Sequence, residues 1–553
     1  MRSALPMAVS LSTLQHLLTH PKKFWYLFIR YSEYLLFFFR FARLRREISA
    51  LPQAEKRVLF VGFSDWEARG KLDGVLGAAM LLRGAKPLVL TMRCCTWTQR
   101  YLSALGVRDF LFFDDELSAA GKDKADADIL TLLPSPLTFQ TLFDFTYRGI
   151  NVGRNVLSTV LRQLKTGSAA FDDPAVQTMI RDCFVRSVHT ADAACRFFTD
   201  KSPDAVLFLE KGYTPYGEIF DAAIAKHLDV IQYHHGHQSD RLVMRRYSEK
   251  NRFSHPFSLS QASWGRVKAM PWSSDQEQKF MDELKSGYEN GSWFNRKFLL
   301  TNKNLKTPEE CRRQLGLDPK KKTAVIFSHV LWDATFFFGD NLFVDYEQWL
   351  VETVRVAVQN TNVNWLIKLH PDYVWKVKQL GPTAAARDAI AIQAGIGELP
   401  SHMKIVPPEI DISTYSFFSI TDYCITVRGT IGIEAPCFGI PVFTAGTGRY
   451  SGLGFTNDSS TREEYLEKMR TIHTFPALSE GETSLARRHA YALFQCRTLP
   501  FRSCEIAPSK KSGSIAQDAI LRVNTLDDIR KAPDLTSFTN WVLNSREEDY
   551  LKL

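Results

Sequence analysis

The chain has 553 residues, 45% of them hydrophobic and 23% charged, which excludes a disordered polypeptide and exceeds one ordinary domain. A net charge of +9 suits anionic partners such as nucleotides, acidic glycans or a lipid surface. No zinc-finger or RNA-binding signature accompanies the excess, so no nucleic acid is expected as a partner.

Residues 1–55 stand apart from the rest. Phe24 to Phe39 is strongly aromatic, is interrupted by Arg30 and Glu33, and is too short to span a bilayer comfortably. Lys22, Lys23, Arg40, Arg43, Arg45 and Arg46 flank it, and no signal-peptide cleavage pattern follows. A basic aromatic helix of this kind suits the inner membrane surface, giving a cytoplasmic, peripheral protein; packing on the protein's own core is the alternative. The nine cysteines include no CxxC pair and read as reduced, mostly buried thiols.

From Arg57 onward short apolar runs alternate with helix-length segments, as in a doubly wound sheet. Strands are expected at Val58–Gly62, Pro87–Thr91, Phe110–Phe113, Ala205–Leu209 and Val230–Tyr233, with long helices over Leu142–Leu164 and Pro174–Thr199. The polar stretch to Lys306 reads as a linker. Alternation restarts with strands at Thr323–Phe327, Asn364–Leu369, Lys404–Val406, Tyr423–Val427 and Pro441–Thr444, and helices at Tyr346–Gln359, Ile431–Phe438 and Thr461–Ile472. The expected organisation is a Rossmann-like acceptor domain over 56–275, a linker over 276–306, a Rossmann-like nucleotide-sugar domain over 307–480, and a helical, polar segment over 481–553 packing back across both domains. The fold class is α/β, with two Rossmann-like domains and a central cleft, a pattern that matches the GT-B fold.

The chemistry concentrates at two strand ends. His370 and Pro371 close one strand; the proline fixes the backbone, and the imidazole can donate to a phosphate oxygen without full positive charge. Lys368 shares its side by strand alternation and adds a cation. Arg428, Gly429 and Thr430 leave the next-to-last strand. Gly429 and Gly432 allow close backbone approach, Thr430 is placed to cap a helix whose free amides bind phosphate, and Glu434, one turn in, can accept from ribose hydroxyls. The glycine-dense stretch Thr444–Thr456 carries Arg449, suited to clamping a carboxylate or phosphate, and is a candidate lid.

The stretches Lys368–Pro371 and Arg428–Phe443 resemble the C-terminal domain of bacterial capsular and surface polysaccharide glycosyltransferases, which include the Kdo transferases of capsule assembly; bacterial sialyltransferases have related motifs. The resemblance implies that His370, Thr430 and Glu434 hold the nucleotide of the donor, in those enzymes a cytidine monophosphate. This chain has Gly429-Thr430 where many relatives carry paired Ser/Thr hydroxyls. The resemblance also implies a catalytic carboxylate in the N-terminal half. Glu210 and Asp240 are the candidates, with Asp65 a third. His234, His235 and His237 are expected to line the acceptor or sugar pocket; no matching Cys/His pair stands near them, and no metal or cofactor is expected.

The expected function is a metal-independent glycosyltransferase acting from a nucleotide-activated donor on a surface polysaccharide or lipid-linked glycan acceptor. Two alternatives stand beside it. One is a CDP-glycerol-type polyol-phosphate transferase or sugar 2-epimerase on the same fold. The other is a non-catalytic, membrane-associated polysaccharide assembly protein.

Overall fold

The computed structural model describes residues 21–52, 55–293, 304–381, 387–508 and 517–553. Its first sheet contains β1 (Lys56–Val61), β2 (Ala85–Thr91), β3 (Phe110–Phe112), β4 (Ala205–Phe208), β5 (Val230–His235) and β6 (Arg241–Tyr247). The second contains β7 (Lys322–Phe327), β8 (Val363–Lys368), β9 (Met403–Val406), β10 (Tyr423–Thr426) and β11 (Val442–Thr444). Strand β12 (Thr498–Pro500) returns to the edge of the first sheet, and β13 (Cys504–Pro508) pairs with β14 (Gln517–Leu521) as a separate hairpin. The sheet orders are β12-β6-β5-β4-β1-β2-β3 and β11-β10-β7-β8-β9. In each, the chain steps outward through three parallel strands and then returns to the other side of the first. That is the doubly wound order, which opens a crevice where the direction reverses.

Both sheets are covered on both faces, so their central strands read as continuous apolar runs. Alternate residues face separate cores. Leu59, Val61, Val206 and Phe208 pack under helices Val152–Leu164 and Pro174–Asp200, while Val58, Phe60 and Leu207 pack under helices Glu67–Leu82 and Pro533–Asn544. In the second sheet Val325, Leu366 and Cys424 face one core, and Ala324, Ile326 and Trp365 the other. The protein is thus α/β with two Rossmann-like units, the GT-B architecture. The units meet through loops at their strand ends: Tyr213, after β4, donates its hydroxyl to Asp333, after β7, at 2.8 Å, and Gly339 N donates to Phe253 O at 2.8 Å.

Several elements differ from expectation. The long helix over Leu142–Leu164 is broken: Phe139–Phe143 and Val152–Leu164 are separate helices, because Arg148 and Gly149 turn the chain at φ 51° and 78°. Much of the polar stretch after Asp275 is no open linker. It is helix Ser274–Glu289, started by a capping box in which Ser273 and Gln276 bond each other's backbone amides. Residues 294–303 of that stretch lie outside the described residues. The segment after Ser479 is not simply helical. It supplies β12, the β13–β14 hairpin and helix Pro533–Asn544 to the first unit. Strand β6 was not expected, since Arg245 and Arg246 mask its apolar pattern.

Helix Pro21–Arg40 lies against the first unit. Arg30 pairs with Glu67, Tyr31 and Tyr34 contact the Trp97 ring at centroid distances of 4.9 and 6.3 Å, and Phe37 contacts Tyr101 at 4.9 Å. Among the described residues no helix is long and apolar enough to cross a membrane. All nine cysteines are free, and seven are buried.

Candidate functional site

The reversal in the second sheet falls between β7 and β10. Two residues beyond β7, His329 leans onto the end of β10. Val427 N donates to its Nε2 at 3.2 Å, and Thr426 Oγ1 stands 3.1 Å from the same nitrogen. Nε2 is therefore the acceptor, and the proton of the neutral ring sits on Nδ1. Burial, then the neighbouring His370, Arg428 and Arg449, hold this imidazole well below its ordinary pKa. Its ring stacks on Tyr346 at 4.7 Å. Locked in this way, His329 offers an uncharged N–H donor at the switch point.

Arg428 follows at once. Its Nη2 donates to Asp340 O at 2.9 Å and to Asn341 Oδ1, while its buried Nε and Nη1 have no protein partner. Arg449 donates one nitrogen to Arg428 O at 3.3 Å and leaves its buried Nε without a partner. Burial presses its pKa below the guanidinium norm. Neither guanidinium has a carboxylate within ion-pair distance among the described residues. Both stand on the wall of a cavity of about 410 Å³ between the units, whose other walls include His255, Arg252, Phe253 and Phe338. A buried and a half-buried guanidinium thus stand side by side, each with a buried N–H that has no protein acceptor.

On the first unit, Glu210 follows β4, outside the lining of that cavity, and is half-buried. Burial raises its pKa to about 7; Asp333 pushes the same way and Arg162 opposes. Asp333 comes from the second unit and stays ionised below its usual range, because Lys376, at 3.2 Å, and the Tyr213 hydroxyl outweigh the opposing effect of burial. His234 and His235 end β5. His234 meets the Phe257 ring at 6.0 Å, and burial lowers the pKa of His235 to about 3.

Other expected site residues lie elsewhere. Glu434 is fully buried, and its oxygens accept from Tyr288 Oη at 2.8 Å and Trp293 Nε1 at 2.7 Å, so it cannot face a ribose. His237 is core, not pocket: its ring packs against Trp293 at 4.7 Å and Phe494 at 5.0 Å. Lys368 is buried with its ammonium 5.4 Å from the centre of the Phe417 ring, on the face that Leu366 shares. Thr430 makes no capping bond, and the α-helical turn it opens is only Ile431–Glu434. Gly432 makes room for a side chain rather than a ligand, since a Cβ there would lie 2.2 Å from the Tyr450 ring. Gly429 donates its N–H to Thr426 Oγ1 at 3.2 Å. Asp240 lies at the tip of the β5–β6 hairpin, 3.8 Å from Arg241 Nε and backed by Phe501, at the β12 edge. Asp65 caps a helix by accepting from Trp97 N and Thr98 N. His370 accepts from Asp372 N at Nδ1, at 3.2 Å, and is half-buried; neither it nor Thr430 lines the 410 Å³ cavity.

No protein-family model matches the chain, and no curated protein matches it. Among solved structures it is similar to the β-Kdo 2,4 transferase KpsC of Thermosulfurimonas dismutans, with a TM-score of 0.34, 14% identity, and coverage of 59% of this chain and 87% of that one. It is similar to the Neisseria meningitidis UDP-GlcNAc 2-epimerase bound to UDP-GlcNAc, with a TM-score of 0.26, 12% identity, and coverage of 79% and 96%. Glycosyltransferase VinC in complex with dTDP matches with a TM-score of 0.22, 12% identity, and coverage of 78% and 94%. At these values the likenesses carry no argument about chemistry; the fold stands on the two sheets themselves.

Among the groups near the crevice that have no counterpart in the expected set are His329, Asp333 and His255. The first two were within reach of the sequence. They stand two and six residues beyond the first strand of the second alternating unit, at the strand end where a doubly wound sheet binds its ligand. His255 follows the unexpected strand β6 and carried no such signal.

Proposed function

We propose that the protein is a glycosyltransferase that takes a sugar from a nucleotide-activated donor to a surface polysaccharide or glycolipid acceptor. The observation that carries this reading is the pair of guanidiniums, Arg428 buried and Arg449 half-buried, with buried, unpartnered N–H groups on the wall of the inter-unit cavity beside the switch point. The donor phosphate is the anion they await, and His329 Nδ1 supplies a neutral donor next to them. Glu210, with its pKa about 7, is the general base on the acceptor side. The acceptor hydroxyl oxygen bonds to the anomeric carbon as the bond from that carbon to the phosphate oxygen breaks. The hydroxyl proton passes to Glu210, and the nucleotide leaves with its charge matched by the two arginines. The resemblance of Lys368–Pro371 and Arg428–Phe443 to capsular transferases makes a CMP-linked sugar the first donor to test.

Calorimetry on the whole chain with CMP, UDP, GDP and dTDP tests the donor half. One nucleotide binds, and Arg428→Ala and Arg449→Ala each weaken it about 10- to 100-fold, the value of a charge-assisted hydrogen bond. Undiminished affinity in both variants, or no affinity of the parent protein for any of the four, removes the proposal.

A further inference from the structure

Helix Pro21–Arg40 is apolar on two opposite sides. Its inner side is accounted for, with Tyr34, Phe37 and the Arg30–Glu67 pair docked on Trp97, Tyr101 and the helix Glu67–Leu82. Its outer side carries Trp25, Phe28, Ile29, Leu35, Leu36 and Phe39, which successive 100° steps place within one sector of the helix. These side chains are exposed: Leu36 by 73%, Phe39 by 69% and Trp25 by 62%. Of the thirteen large hydrophobic side chains exposed among the described residues, eight belong to this one helix. Scattered exposure is ordinary, but concentration on one face marks a surface that meets something.

We infer that this face rests on an anionic lipid bilayer, with the helix lying in the interface plane. The run 40–49 that continues it holds Arg40, Arg43, Arg45 and Arg46 against one carboxylate, Glu47. Arg45 is buried under Phe38, Arg43 pairs with Glu47, Arg40 is exposed and donates to the neutral acceptors Asn524 Oδ1 and Leu521 O, and Arg46 is exposed without an ion partner. Anionic headgroups match the exposed charge of Arg40, Arg43 and Arg46 while the aromatic and leucine side chains enter the acyl boundary. A second copy of the chain is the poorer occupant. Two-fold pairing through the same face would bring the two arginine-rich ends toward like charge or leave them unmatched. Because the helix is held to the first unit, binding would set the whole molecule's orientation on the membrane. The inference is independent of the catalytic reading.

Co-sedimentation of the full chain with vesicles of pure phosphatidylcholine, and of an equimolar mixture with phosphatidylglycerol, tests it. The protein partitions onto the mixed vesicles, less so in high salt, and weakly onto the neutral ones. The double variant Leu36→Glu/Phe39→Glu, altered only at exposed side chains, retains its thermal midpoint and loses at least about tenfold in partitioning. If the variant misfolds, Trp25 provides a second measure: quenching by brominated lipid falls in Trp25→Phe. Equal binding of parent and Glu variant overturns the inference, as does no binding to either vesicle. A concentration-dependent dimer abolished by the Glu variant, without vesicle binding, also overturns it and assigns the face to a second copy.

Discussion

At Arg428 one guanidinium nitrogen is spent on the neighbouring loop, and two others stay buried and unpartnered beside Arg449. That imbalance is the physical basis of the proposed phosphate site. Glu210 differs in kind, because burial rather than a partner sets its acidity. As a base it must be ionised, so turnover should rise through about pH 7 and level off above it. Glu210→Gln should lose the turnover and the pH step together while donor affinity stays. A parent profile flat from acid to neutral pH, or full turnover in the variant, would remove Glu210 from the chemistry. The stability sign runs the other way from turnover. A raised folded pKa means a contribution complete below the unfolded value of about 4.3 and lost as pH climbs to the folded one. Glu210→Gln should therefore raise the thermal midpoint relative to the parent above pH 7 more than at pH 5.

The short element Ile431–Glu434 shows how one carboxylate serves architecture. Its amides do not form a deep helix N-terminus, because the α-helical turn gives way to the 3-10 turn Ala435–Phe438. Glu434 instead anchors the end of helix Ser274–Glu289 through Tyr288, and the segment beyond it through Trp293. Glu434→Ala removes the carboxylate that accepts from a buried hydroxyl and an indole N–H and should cost about 3 kcal/mol in urea unfolding. A loss below about 0.5 kcal/mol would mean that the carboxylate is dispensable to the fold, and the ribose role would reopen. The capping box at Ser273 and Gln276, visible in the sequence, marks the same helix as ordered structure.

In the whole molecule, the described residues from Thr498 onward complete the first unit. Leu535, Phe538 and Trp541 enter its core, and β12 extends its sheet. Asp549 fastens this return. It accepts from Arg245 Nη1 at 3.0 Å and Ser260 N at 2.6 Å and lies 3.4 Å from Arg497 Nη2, with all three charged side chains buried. Although burial alone would raise its pKa, Arg497 and Arg245 hold it below the usual carboxylate range. Its contribution is thus present above the unfolded value of about 3.9 and lost as pH falls through the folded one. Asp549→Ala leaves Arg497 without a carboxylate in the interior, while Arg245 keeps Glu548, and should cost about 3–5 kcal/mol in chemical denaturation. Wild-type stability in that variant would show that the return is held by apolar packing alone.

The ten expected strands each appear within two residues of their expected ends, because an apolar run between polar turns is a local signal and a sheet covered on both faces requires it. The doubling of the α/β unit followed from the same local pattern. Which side a buried charge faces did not. Lys368, His237 and Glu434 stand in motifs suited to a ligand, and only the packing of Phe417, Trp293 and Tyr288, distant in sequence or on another element, decides that they turn inward. The meeting of Arg428 with Arg449, the approach of Asp333 to Glu210, and the return of β12 to the first sheet are likewise long-range. Periodicity is written along the chain, whereas partnership depends on which distant groups desolvation leaves within hydrogen-bond reach.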